Sequence, residues 1–336
     1  MSYGLKQAKI NVLGGVDVDI KCKETYERNI EGARFVHADV YNTSPEYIAH
    51  ELNYNLNSED SSNLILVGCT PCQYWSQIRT DKSKSRNTRN LLVEFLKFVE
   101  FFKPGYVIVE NVPGIYKHRT KSKLSFFLDW LTENGYSTTA KIHDVSDYGI
   151  AQKRKRFTLI ANRNSEQQIL PSKNAEKKFV RQVLGVHNGF PKVSAGHKDQ
   201  SEFMHTVAGL SKVNLARIMK VRKDGGSRFD FAADANLQLK CFTGKDNTYK
   251  DTYGRMKWDD LSPTITTKFY NISCGKFGHP DEDRAISLRE GAALQSFPKS
   301  FIFKTTSIAD TARIIGNAVP PKYAKALGEA IILAHG

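Results

Sequence analysis

Leu64-Ile65-Leu66-Val67-Gly68-Cys69-Thr70-Pro71-Cys72-Gln73 is an unbroken apolar run that stops at a glycine and opens into a turn. Such a run, lacking alternation, reads as a strand buried on both faces, and such strands belong to parallel sheets covered by helices. The same pattern recurs outward in both directions. Residues 12–17 and 35–39 each read as a strand ending in an acid, residues 106–110 as a fourth strand and 157–161 as a fifth. Between the third and fourth, Leu91, Leu92, Phe95, Val99 and Phe102 fall at helical spacing. Helix-like stretches return at 288–295 and 322–334. Strands separated by helices predict an α/β fold with a parallel sheet. Ligands of such sheets sit at the carboxyl ends of the strands. Asp17, Asp39, Cys72 and Glu110 all fall at or just past those ends.

At 336 residues, 40% hydrophobic and 25% charged, the chain has an ordinary globular composition. The formal net charge of +14 is less ordinary. A surplus of that size speaks of partners, with nucleic acid or an anionic surface first among them. Nearly all of it lies between residues 152 and 258, a loop-rich stretch, and a surplus confined to one irregular segment predicts a footprint for phosphates. No apolar run approaches the ~20 residues of a membrane span. Met1-Ser2-Tyr3-Gly4-Leu5-Lys6 lacks the apolar core of a signal peptide, so an intracellular protein without membrane partners is expected. Five irregularly spaced cysteines argue against a disulfide framework. The lone C-x-x-C of Cys69 and Cys72 makes a weak zinc site, so no metal is expected.

Four local features carry chemistry. Cys72 follows a buried strand and precedes a polar, basic loop, conditions that favour a thiolate nucleophile, although a buried small hydrophobe is the commoner role of a cysteine. Glu110, in Glu110-Asn111-Val112-Pro113-Gly114, is either a general acid beside a cleft or an exposed acid opening a turn. In Gln152-Lys153-Arg154-Lys155-Arg156, alternation puts Arg154 and Arg156 on one face, where two guanidiniums clamp an anion or guard a sheet edge. Arg313 to Pro321 punctuates the start of the last helix.

Taken in order, these features resemble the cytosine-5 DNA methyltransferases of restriction–modification systems. Pro71-Cys72-Gln73 resembles the family's nucleophile motif, with Trp75-Ser76 where Phe-Ser is usual. Glu110-Asn111-Val112 resembles its Glu-Asn-Val motif, and Gln152, Arg154 and Arg156 its Gln-x-Arg-x-Arg motif. Arg255 and Ser262-Pro263-Thr264-Ile265-Thr266-Thr267 match the motif closing the recognition region. Arg289-Glu290, Leu294-Gln295 and Gly316-Asn317-Ala318-Val319-Pro320 match the C-terminal motif. Met1-Ser2-Tyr3-Gly4-Leu5 looks like the sequence that follows the family's Phe-x-Gly-x-Gly-Gly turn. Neither that turn nor its strand is present in this chain, and the resemblance then implies weaker cofactor affinity and unpaired backbone beside the missing strand.

The resemblance implies a Rossmann-like S-adenosylmethionine-dependent sheet with a small, loop-rich target-recognition domain. Residues 1–163 and 259–336 would form the catalytic part and 164–258 the recognition part. It implies that Cys72 attacks C6 of a flipped cytosine while Glu110 meets N3 and the exocyclic amine, with Arg154 holding the base and Arg156 in support. Asp17, Val18, Asp39, Pro71 and Asn317 would hold the cofactor. Gln73, Ser76, Arg79, Arg228 and Arg255 would contact double-stranded DNA. A monomer in the cytoplasm at the nucleoid, with a separately acting nuclease, completes the implication. Methylation of transfer RNA, and DNA binding without methylation, are the competing readings. Cys72→Ala is expected to abolish methyl transfer while specific DNA binding survives, as measured by tritium incorporation and gel shift.

Overall fold

The computed structural model describes residues 1–55, 60–69, 91–173, 176–242, 244 and 247–336. β1 (Gly14–Asp17) and β2 (Arg34–His37) form a parallel pair. β3 (Ile65–Gly68), β4 (Tyr106–Asn111), β5 (Ser137–Asp144) and β6 (Lys155–Asn162) form a second sheet of order β3-β4-β6-β5. The helices are α1 (Ser2–Gln7), α2 (Lys23–Asn29), α3 (Pro45–Glu51), α4 (Leu91–Phe102), α5 (Pro113–Lys117), α6 (Leu124–Glu133), α7 (Lys212–Lys220), α8 (Leu288–Leu294), α9 (Ile308–Asn317) and α10 (Pro321–His335).

The mixed α/β class agrees with the apolar pattern, but the wholly parallel sheet does not. β3 and β4 are parallel, whereas β6 runs antiparallel to both β4 and β5. The connection 145–154 is too short to hold a crossover helix, so β6 returns directly along its neighbours. β5 escapes an apolar-run criterion because it is an edge strand carrying exposed Lys141, the kind of charge that blunts edges. Among the described residues no ladder joins the two sheets. They meet instead in an apolar cluster of Val36, Ile48, Phe98 and Phe102, against which Val16 and Leu66 pack.

All six residues of β4 are buried. Val107 and Val109 face α4 and α6 through Leu92, Leu96, Phe127 and Leu131. Tyr106 and Ile108 face α1 and α10 through Leu5, Tyr323, Leu327 and Ile331. Burial of each such side chain stabilises by about 1.5–3 kcal/mol. Period-two alternation then puts Glu110 on the α10 side of the sheet. α1 lies against α10 so closely that a Cβ on Gly4 would meet Pro321 O at 2.4 Å and the Ala324 Cβ at 2.5 Å, so that contact needs glycine.

Between residues 164 and 258 regular structure is sparse, with α7 the only α-helix among the described residues. Its core of Ile218, Val221, Phe231, Leu237 and Tyr253 also takes in Ile272 and Ala285 from the returning chain. Beside it, fully buried Arg284 holds Glu290 in a two-pronged ion pair, Nη1 to Oε2 at 2.7 Å and Nη2 to Oε1 at 2.9 Å. Burial alone would push the Glu290 carboxyl up; Arg284 outweighs it, and the carboxyl is held down at about 2. A depressed carboxylate contributes stability above its ordinary pKa of 4.5, and that contribution is lost as pH falls toward 2. Arg284→Met, which strands the buried carboxylate, is expected to cost about 3–5 kcal/mol. Thermal unfolding followed between pH 3 and pH 7 checks both the loss and its pH window.

Candidate active site

Two strands of the larger sheet bring the catalytic candidates together. Glu110 pairs with Thr158 in the β4–β6 ladder, and Arg156 lies two residues along on the same face. Diagonal neighbours of that kind are within reach of long side chains. Arg156 Nε accordingly stands 2.8 Å from Glu110 Oε1, with both side chains about nine-tenths covered. This is an ion pair and not an aligned hydrogen bond. Arg156 Nη1 donates to its neighbour's carbonyl, Lys155 O, at 2.8 Å.

β3 ends alongside, with Gly68 paired to Val109. Cys69 follows, exposed at its surface yet crowded by protein around the thiol. That surrounding, and then the Glu110 charge, push its thiol up to about 12. A thiol raised in this way resists becoming the thiolate that a nucleophile needs. Cys72, Pro71, Gln73, Ser76 and Arg79 lie outside the described residues.

Arg154, expected to hold the base, is placed away from Glu110. Its guanidinium is buried and turned into the protein, donating to Ile265 O at 3.0 Å, Gly316 O at 3.1 Å and Ala318 O at 3.2 Å. Arg156, expected only in support, is the arginine that meets Glu110. Arg255 is also corrected as a DNA contact. It is fully buried and donates to Val221 O, Ile218 O, His279 O and Glu282 O at 2.6–3.0 Å, and it pairs with Asp283. Arg228 is buried too, its guanidinium over the rings of Phe229 and Phe242 and donating to Thr248 O, beside a cavity of about 160 Å³. A long polar side chain close to glycines resembles a groove-reading loop in sequence, whereas burial was decided by the surrounding aromatic residues.

The cofactor candidates sit at the ends of the smaller pair of strands and of α9. Asp17 closes β1, and one carboxylate oxygen accepts from Asp19 N at 2.8 Å. Val18 and Ile20 beside it are exposed at 65% and 49%. Asp39 follows β2 and accepts from Tyr41 N at 3.0 Å. Two acids flanking open apolar side chains suit a group with hydroxyls and a flat ring, as the adenosine end of S-adenosylmethionine has. Asn317, exposed, is the last residue of α9. Sequence reasoning missed Arg313, which joins the two segments. It contacts Asp19, and its other nitrogen donates to Asp310 at 3.0 Å. Its place four residues before Asn317, one turn along a helix, was the available signal.

The C-5 cytosine-specific DNA methylase family matches residues 1–333. The chain is 34% identical over 337 residues to the Type II methylase M.HgiDII of Herpetosiphon aurantiacus, covering 98% of this chain and 91% of that one. It is 28% identical to the Type II methyltransferase M.DdeI of Desulfomicrobium norvegicum over 98% of this chain and 85% of the relative. Among solved structures, a putative DNA modification methyltransferase encoded within an Escherichia coli prophage shares the fold. The TM-score is 0.73 at 20% identity, covering 99% of this chain and 95% of that one. The chain belongs to the C-5 cytosine-specific DNA methylases and is a DNA cytosine-5 methyltransferase. Glu110→Gln, which keeps the shape and removes the charge facing Arg156, is expected to lower single-turnover methyl transfer by about 10²–10⁴-fold, with a lowered melting temperature but a native circular dichroism spectrum at the assay temperature.

Proposed function

We propose that this chain methylates C5 of a cytosine flipped from a specific duplex sequence, acting as the modification enzyme beside a separate nuclease, as a monomer in the cytoplasm. The observation that carries the reading is the Arg156–Glu110 pair beside the end of β3, the strand that precedes Cys72 in the sequence. Relatives named as Type II methylases support the restriction–modification setting.

Cytosine C5 is a poor nucleophile. Addition of the Cys72 thiolate to C6, with Glu110 carrying a proton to N3, makes C5 electron-rich. Arg156 holds the Glu110 carboxyl against the base and neutralises charge that develops on the ring. When bound, S-adenosylmethionine supplies the electrophilic methyl group; Asp17, Val18, Asp39 and Asn317 are the residues that would hold it, with Pro71 from the nucleophile's own loop. After methylation a base takes the C5 proton, the C6–S bond breaks, Cys72 leaves as thiolate and N3 returns its proton to Glu110. Flipping the base costs a few kcal/mol, which binding to the basic recognition region offsets.

Tritiated S-adenosylmethionine offered with duplex DNA and, separately, with transfer RNA tests the proposal. Label in 5-methylcytosine of the duplex alone is expected. Label in transfer RNA alone would overturn the duplex reading, and label in neither, with DNA still bound, would point to the binding-only reading.

A further inference from the structure

The C-terminal end of α9 is held by buried side chains from outside the helix. The last carbonyls of a helix lack intrahelical partners and must find others. Here Gln295 donates to Ile315 O, and Arg154 donates to Gly316 O and Ala318 O at 3.1 and 3.2 Å. A cation at that end also complements the helix dipole. The same Arg154 donates to Ile265 O at 3.0 Å, while Gln152 accepts from Ile265 N at 3.0 Å and donates to Gln295 at 3.2 Å. Both backbone groups of Ile265 are thus pinned. Gly316 adds a steric stop, since a Cβ there would lie 2.5 Å from the Thr266 carbonyl carbon and the Thr267 nitrogen. Exposed Asn317 sits between the two carbonyls that Arg154 holds. Further along the same helix, Arg313 contacts Asp19, and Lys21 reaches Asp310 at 3.1 Å. One helix therefore spaces the Asp17–Asp19 turn from Asn317, and Arg154 sets where its far end stops.

We infer that Arg154 is a positioning residue for the cofactor: it sets S-adenosylmethionine affinity through the Gly316–Ala318 turn and does not touch the flipped base. The inference rests on the proposed role of Asn317 and adds the device that places it. A lysine at 154 keeps one charge but cannot serve three carbonyls with the fixed fork of a guanidinium.

The test measures S-adenosylmethionine binding by calorimetry, without DNA, for wild type, Arg154→Lys, Asn317→Ala and the double variant. Loss of one charged or well-placed hydrogen bond is expected to weaken binding about tenfold or more in each single variant. The double variant should be no weaker than Asn317→Ala, because the two act through one contact. Steady-state rates on duplex DNA should show KM for the cofactor raised much more than kcat is lowered. Additive losses overturn the inference, as does Arg154→Lys with unchanged cofactor affinity and a lowered kcat at saturation, the signature of a base contact. Should Arg154→Lys fail to fold, Gln295→Ala, which removes the side-chain donor to the Ile315 carbonyl and the acceptor of Gln152 while Arg154 stays in place, carries the same expectation and the same refutation. If Asn317→Ala alone leaves affinity unchanged, the underlying assignment of Asn317 fails, and this outcome is distinct from failure of the positioning role.

Discussion

A buried guanidinium cannot shed its proton, so the protein around it must supply acceptors. Arg154, Arg255, Arg284 and Arg289 are all almost wholly buried, and each donates to main-chain carbonyls of segments that form neither helix nor strand. The region between 164 and 286 has few ladders of its own, so these forks do the joining that strands do elsewhere. Arg255 gathers Ile218, Val221, His279 and Glu282 around one point. Arg154 ties the lead into β6 to the returning chain at Ile265 and to the end of α9. A fork with five donors in a plane can hold several carbonyls at once, which an ammonium cannot do as well.

The active site inherits its rigidity from that scaffold and from the buried centre of the sheet. β4 is covered on both faces, so Glu110 is presented from a strand that cannot shift without exposing Val107, Ile108 and Val109. The ladder to β6 then sets Arg156 at a fixed offset. Strand periodicity, and not loop geometry, thus places the ion pair on the face shared with α10. Cys69, whose thiol is raised by its surroundings and by Glu110, marks where that face meets the end of β3.

Charge in this protein divides into two populations. The sequence carries 49 basic against 35 acidic residues. Some of the arginines that inflate the excess between 152 and 258 are internal fasteners, among them Arg154, Arg228 and Arg255. The surplus left on the surface still favours phosphates, since lysines such as Lys212, Lys220 and Lys223 remain exposed. Counting charge along a chain cannot separate fasteners from contacts, because a guanidinium is equally basic in either place.

Much of this protein was legible in the one-dimensional pattern. Apolar runs located β3, β4 and β6, the 3.6-residue period located α4, and acids marked where β1 and β2 end. Those features are local: burial on both faces and helical repetition leave their mark within a few residues. The ordered motifs likewise identified the chemistry, since reacting groups must keep their types. Strand direction in β6, the edge strand β5, the contacts that Arg154 and Arg156 make, and the burial of Arg228 and Arg255 were decided only in three dimensions. Each depends on which distant backbone carbonyls or rings come to lie beside a side chain, and that proximity is a property of the packed chain, not of any stretch of it.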